Sequence, residues 1–334
     1  MIVNNHEIVE IMRIGKITEN ALKRSVLKPL KTEFKNKISA AVGTDCAFSE
    51  EEKTFSTICP YTEDIKDVGY YAVIKACNGL FSQGIEPDQV NVSVLLPEEA
   101  GEQELKRIVN DAILGAKACD VVYTGGHTEV TTAVNRPVVT ATSVGTKAGN
   151  NIFLRKGKPG DALVISKWIA LEGTAVLANE KFEELSQKYP VPFVEDARSF
   201  KEYMSIKTEM DVAIAVGISA AHDLSFGGVF AGLWEMASRA GCGLRTDLKA
   251  IPIRQETIEI CDFLEVNPYQ LLSGGAVLFA TDNPEKLVSE LKSNDIPAAV
   301  VGELTEGNDR IITNLDEVRF LELPQADEII KVLS

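Results

Sequence analysis

No run in the sequence approaches the roughly twenty apolar residues of a membrane span, and the opening MIVNNHEIVEIMRIGK has no continuous apolar core of a secretory signal. These absences predict a cytoplasmic chain with no membrane partner. Histidine is scarce, with three in 334 residues. The six cysteines, Cys46, Cys59, Cys77, Cys119, Cys242 and Cys261, form no CxxC pair and no zinc-finger set, so each is expected as a reduced, small buried hydrophobe. Walker A and strand-linked GxGxxG sequences are both missing, which excludes the two commonest nucleotide loops. Cationic residues are outnumbered, 34 Lys and Arg against 49 Asp and Glu, and the net charge of -15 excludes a nucleic-acid partner. A small anionic ligand stays open, because helix N-termini, backbone N–H groups and a bound cation overcome that field locally.

What is present is globular: 45% apolar and 25% charged residues over a length that suits two domains. Val42 to Phe48 and Thr54 to Cys59 read as short strands, with a helix from Asp67, a plausible N-cap, to near Gly84. Leu105, Ile108, Val109, Ala112, Ile113 and Ala116 form one apolar helical face. Val121 to Tyr123 and Val138 to Val144 read as strands. The polar, turn-rich stretch from Thr146 to Pro159 predicts a domain boundary, giving domains 1–150 and 151–334. Beyond it, strands are expected at Asp161 to Ser166, Ile218 to Ala221, Ala276 to Ala280 and Ala298 to Gly302. Helices are expected at Val229 to Ala240, closed by Gly241, and at Pro284 to Lys292.

Three glycine-paired turns carry the chemical signals. In Thr124-Gly125-Gly126-His127-Thr128-Glu129, the glycines bring backbone N–H groups close to a ligand and His127 and Glu129 stand beside them. A tight hairpin whose histidine caps backbone groups explains the same residues. In His222-Asp223-Leu224-Ser225-Phe226-Gly227-Gly228, a strand meets a helix start that suits an anion, although Asp223 or Ser225 as an ordinary N-cap is an equal reading. Ser273-Gly274-Gly275 alone is a turn. Asp45 and Asp67 are carboxylates suited to a hard cation, with helix capping as the alternative for Asp67.

Taken in order, Gly15-Lys16-Ile17, Val42-Gly43-Thr44-Asp45-Cys46-Ala47, Asp67-Val68-Gly69, Cys77-Asn78-Gly79-Leu80, the GGHTE segment, Lys158-Pro159-Gly160-Asp161, His222 to Gly228, Ile251-Pro252-Ile253-Arg254 and Asn267-Pro268-Tyr269 resemble the superfamily built around aminoimidazole ribonucleotide (AIR) synthase. The IPIR and Asn-Pro-Tyr runs are most similar to its hydrogenase-maturation branch. The resemblance implies a two-domain α/β (α+β) fold: an N-terminal sheet domain that pairs in a homodimer, and a C-terminal α+β domain. It also implies ATP and Mg2+ in the interdomain cleft and ATP-dependent activation of an oxygen as a phosphate leaving group, with room for a protein acceptor. On that template Asp45 and Asp67 hold the metal, and Asn78, Gly125, Gly126, Asp223, Gly227 and Gly228 meet the nucleotide. His127 and Glu129 serve the acceptor or proton transfer.

The departures point the other way. Asn78-Gly79 stands where relatives have Asn-Asp, Cys59-Pro60 where many have an acid, and the end Lys331-Val332-Leu333-Ser334 lacks the cysteine of the maturation dehydratase. A non-catalytic nucleotide- or phosphate-binding paralogue, acting as scaffold or regulator, is therefore the alternative.

Overall fold

A computed structural model describes residues 14–35, 39–49, 51, 53–146, 152–153 and 155–333; Asn150, Asn151 and Ser334 lie outside them. Helical residues 19–34 come first: α1 (Glu19–Leu22), a π-helical turn Lys23–Leu27 and α2 (Lys28–Phe34). A five-stranded sheet follows, from β1 (Ala47–Ser49), β2 (Thr54–Tyr61), β3 (Gln89–Leu96), β4 (Val122–Val130) and β5 (Val138–Gly145), in the order β1-β2-β5-β3-β4. Helices α3 (Val68–Phe81) and α4 (Glu102–Ala118) connect its strands. In β3, Val90, Val92, Val94 and Leu96 are buried while the residues between them are half-buried, the period-2 pattern of a sheet with one core face. Glu102 and Glu104 in the first turn of α4 and Lys117 in its last complement the helix dipole.

The remainder carries α5 (Leu171–Glu180), α6 (Phe182–Lys188), α7 (Val191–Ser199), α8 (Lys207–Val216), α9 (Gly228–Ala240), α10 (Gln255–Phe263), α11 (Pro284–Ser293) and α12 (Ile330–Leu333). They surround a seven-stranded sheet of β6 (Ala162–Ser166), β7 (Ala220–Asp223), β8 (Gly243–Asp247), β9 (Val277–Thr281), β10 (Ala298–Thr305), β11 (Arg310–Asn314) and β12 (Glu317–Phe320). Its order is β12-β11-β8-β10-β6-β9-β7, antiparallel except for the β11–β8 pair. Every residue of β9 is buried, as expected of an inner strand covered on both faces. The mixed architecture agrees with the fold class read from the sequence.

Three local expectations change. The strand expected from Val42 shrinks to Ala47–Ser49, with Val42 and Gly43 in a turn. Gly125 and Gly126 lie inside β4 rather than in a turn. Parallel pairing with β3 carries the chain through them, and the register slips at Thr124, whose hydroxyl accepts from Asn91 Nδ2 at 3.0 Å. A Cβ on Gly126 would sit 1.8 Å from the Val92 carbonyl oxygen, so the close approach of the two strands requires glycine. Asp67 precedes α3 in a left-handed conformation, φ 61°, and its side chain makes no capping bond.

All of α3 but Tyr70 is buried, because the helix is covered by its own sheet, by α4 and by the C-terminal half. Across that seam Lys75 Nζ meets both oxygens of Glu172, at 2.9 and 3.1 Å. Tyr61 donates its hydroxyl to Glu172 Oε1 at 3.1 Å, Gly274 N–H donates to Oε2 at 3.2 Å, and the Phe226 ring lies 3.7 Å from the ammonium. Burial opposes the charge on Lys75, but Glu172 outweighs it and holds the ammonium protonated above its ordinary range. Replacing one member strands the other in the interior. Lys75→Met is expected to lower unfolding free energy in urea by about 3–5 kcal/mol, and Lys75→Met/Glu172→Leu to recover much of it. A loss below about 1 kcal/mol for Lys75→Met would remove the pair from the seam's stability.

Candidate functional site at the interdomain seam

Beside this pair lies a second polar cluster. Asp45 Oδ2 accepts from Ser82 Oγ at 2.9 Å, Gln83 Nε2 at 3.2 Å and the Asp223 backbone N–H at 3.1 Å. Its Oδ1 lies 2.7 Å from His222 Nδ1. The other face of His222 meets Glu235 of α9, Nε2 to Oε2 at 2.9 Å, and Lys16 Nζ reaches Glu235 Oε1 at 3.1 Å. Burial disfavours a charged His222, but Asp45 and Glu235 on its two sides overcome that and push its pKa up to about 10. Burial likewise opposes ionised Glu235, which Lys16 and His222 hold down to about 2.

Asp223 is the member left over. It ends β7, and its buried Oδ1 meets no hydrogen-bond donor. Burial, with Asp45 beside it, pushes its pKa up to about 8, so the neutral carboxyl is the stable form at neutral pH. Gly227 and Gly228 follow with φ of 82° and 64°, and a Cβ on Gly228 would lie 2.6 Å from the Tyr269 carbonyl oxygen. Neither Asp223 nor Ser225 caps α9: the N-cap is Gly227. Its N–H donates at 2.7 Å to Asp327, whose carboxylate also accepts from Leu272 N–H at 3.2 Å and Ile329 N–H at 3.0 Å. Burial raises Asp327 to about 6 against those backbone donors.

The other residues singled out in the sequence lie elsewhere. Asp67 is ion-paired with Lys201 at 3.1 Å, at the start of α3, while Asp45 is bonded to residues just past its end. A 14-residue helix separates them, roughly 20 Å at 1.5 Å per residue. The two carboxylates therefore do not fit one shared Mg2+. Among the described residues no group of three or more His, Cys, Asp or Glu is arranged to hold a metal ion. Asn78 is buried and uses both ends of its amide on the C-terminal half, Nδ2 to the Met204 carbonyl at 2.7 Å and Oδ1 from Ile206 N–H at 3.3 Å. His127 and Glu129 do pair, Nε2 to Oε2 at 3.0 Å, but on the exposed outer strand β4, not at the seam. Lys75, Glu172, Gln83, Glu235 and Asp327 were not singled out. A charge set within an apolar run, Lys75 in VGYYAVIKACNGLF and Glu172 near the start of LEGTAVLANE, is the only signal for the first two.

The cluster fixes a pH dependence. His222 is raised from 6.5 to about 10, so its contribution is complete below about pH 6.5 and lost as pH rises through about 10. Asp223, raised from 3.8 to about 8, also gives stability that falls as pH rises, over the window from about 4 to 8. Glu235 has the opposite sign, losing its contribution as pH falls through about 2. Denaturation midpoints are expected to drop steadily from pH 7 to 10, and His222→Gln to flatten the fall above pH 8. An unchanged slope in that variant would mean that His222 is not charged in the fold.

The comparisons with known proteins bear on this seam. The model of the AIR synthase related protein, N-terminal domain, matches residues 26–146, and that of its C-terminal domain matches residues 158–313. A putative hydrogenase expression/formation protein of Methanocaldococcus jannaschii is 26% identical over 333 residues, 95% of this chain and 97% of its own length. A carbamoyl dehydratase of Rhodobacter capsulatus is 28% identical over 64% of this chain and 61% of its own. Among solved structures, a HypE–HypF complex superposes with a TM-score of 0.73 at 22% identity, covering 90% of this chain and 99% of that one. A HypE hydrogenase maturation protein in complex with ATP gives 0.69 at 18% identity, covering 96% and 98%. With both sheets accounted for by the two domains of one family, and the seam running between them, the chain belongs to the AIR synthase related family.

Proposed function

We propose that this protein is an ATP-using maturation factor of the hydrogenase expression/formation type, which holds nucleotide phosphates at the seam between Asp223 and the Gly227-Gly228 turn. The observation that carries this reading is Asp223 Oδ1, a buried carboxyl oxygen with no donor, beside a helix N-terminus that already receives a carboxylate. The relatives named carbamoyl dehydratase and the neighbour in complex with ATP support the same class. As a neutral acid, Asp223 donates a hydrogen bond to the oxygen bridging the β- and γ-phosphates and gives it a proton as its bond to the γ-phosphorus breaks, the acceptor oxygen forming the new bond to that phosphorus and ADP leaving. Asp327 stands where a phosphate oxygen would meet Gly227 N–H, and so marks the helix start as a place that receives an anionic oxygen. No step is assigned to Mg2+, for which Asp45 and Asp67 lie too far apart.

Asp223→Asn keeps a donor without a transferable proton. It is expected to bind ATP in calorimetry nearly as wild type does, while nucleotide-dependent phosphate release falls roughly 10²-fold. Wild-type protein that binds ATP yet releases no phosphate with any acceptor would favour the non-catalytic paralogue.

His127 and Glu129 enter this reading through a homodimer. Strand β4 is an outer strand with Val122 and Val130 exposed, and Ile58 is 72% exposed on β2, the kind of surface a second copy covers. In the dimer the His127–Glu129 pair serves proton transfer at the acceptor side. Sedimentation is expected to give a dimer, and His127→Ala to slow phosphate release with ATP affinity intact. A concentration-independent monomer removes both assignments.

A further inference from the structure

In a chain of formal charge -15, five cations gather around one cavity of about 720 Å3: Lys23, Lys28, Lys31, Lys156 and Arg239. It lies at the opposite end of α9 from the Gly227 turn, between the N-terminal helical residues and the last turn of that helix. Leu27, Val42 and Phe153 give it an apolar floor, and among the described residues no acidic side chain lines it. Arg239 is fixed as part of that floor, Nη2 donating to the Phe153 carbonyl at 2.6 Å and Nη1 to Gln83 Oε1 at 3.2 Å. Lys23 is ion-paired with Glu19, whereas Lys28, Lys31 and Lys156 meet no carboxylate among the described residues.

Like charges brought together around a concavity repel unless an anion sits among them, and the low-dielectric walls concentrate their field. The volume is that of a small-molecule site, larger than a single phosphate needs. Charge of this density without carboxylates suits a ligand that brings several negative charges and no metal. We propose that this cavity is a second ligand site, distinct from the Gly227-Gly228 turn at the other end of α9, for a small molecule carrying a di- or triphosphate group held directly by Lys28, Lys31 and Lys156.

The test is calorimetric titration with inorganic tripolyphosphate in the presence of EDTA, comparing wild type with Lys28→Gln/Lys31→Gln. A control, Lys286→Gln/Lys292→Gln, removes the same charge from exposed positions on α11. All the substituted lysines are exposed, so thermal melting is expected to stay unchanged in both variants. The cavity variant is expected to bind at least roughly 10-fold more weakly, with affinity falling as salt rises, while the control keeps wild-type affinity. No binding by wild type, equal affinity of the cavity variant, or an equal loss in the control would overturn the site. ATP-dependent phosphate release by Asp223→Asn reports on the seam instead, so the two readings fail separately.

Discussion

The contact between Lys75 and Glu172 governs how the two halves of the molecule meet. Two opposite charges buried at 2.9 Å gain little over well-packed apolar residues, because desolvation offsets most of their attraction. Misalignment, by contrast, leaves an unpaired ion in the interior. Such a pair therefore selects one docking geometry. Tyr61 and Gly274 complete the hydrogen bonding of Glu172, and Asn78 adds a second fixed point through Met204 and Ile206. The seam is set by matched polar groups as well as by buried area.

That geometry explains why Asp223 is left without a partner. Asp45 collects Ser82, Gln83 and the Asp223 N–H, and His222 lies between Asp45 and Glu235, with Lys16 closing the far end. Each charge in the series has an opposite neighbour. Around the Asp223 side chain, burial and the like charges of Asp45 and Glu172 outweigh the cations Lys75 and His222, so it holds its proton. A structure selected for stability alone would supply a donor there, since an orphaned buried oxygen is costly. Its persistence beside a helix N-terminus is what makes this position chemically interesting.

The sequence carried the local patterns and lost the distant ones. The β-branched run Val138 to Val144 and the apolar face of Leu105 to Ala116 depend on residues a few positions apart, and both elements form. The Gly227-Gly228 helix start was legible for the same reason. Gly125-Gly126 looked like a turn because glycines usually are one, yet pairing with β3 decides its conformation. Asp45 and Asp67 looked like neighbours because a run of letters does not display the rigid helix between them. Glu172 and Asp327 stand about a hundred residues from the groups they serve, and no spacing rule spans that distance.

Helix α9 ties these features together, and its side-chain directions explain how. Glu235 points toward the seam and His222, whereas Trp234 and Ser238, four residues apart on one face, both donate to Glu19 of the N-terminal helix. One turn past Glu235, Arg239 reaches Gln83 and Phe153 and complements the negative end of the helix dipole. The N-terminus of the same helix receives Asp327. A 13-residue helix spans roughly 20 Å, so the Asp327-capped end and the cationic cavity are held at a fixed separation by one rigid element. The bonds from Trp234 and Ser238 to Glu19 tie the helical stretch that carries the N-terminal lysines to the same helix that shapes the seam.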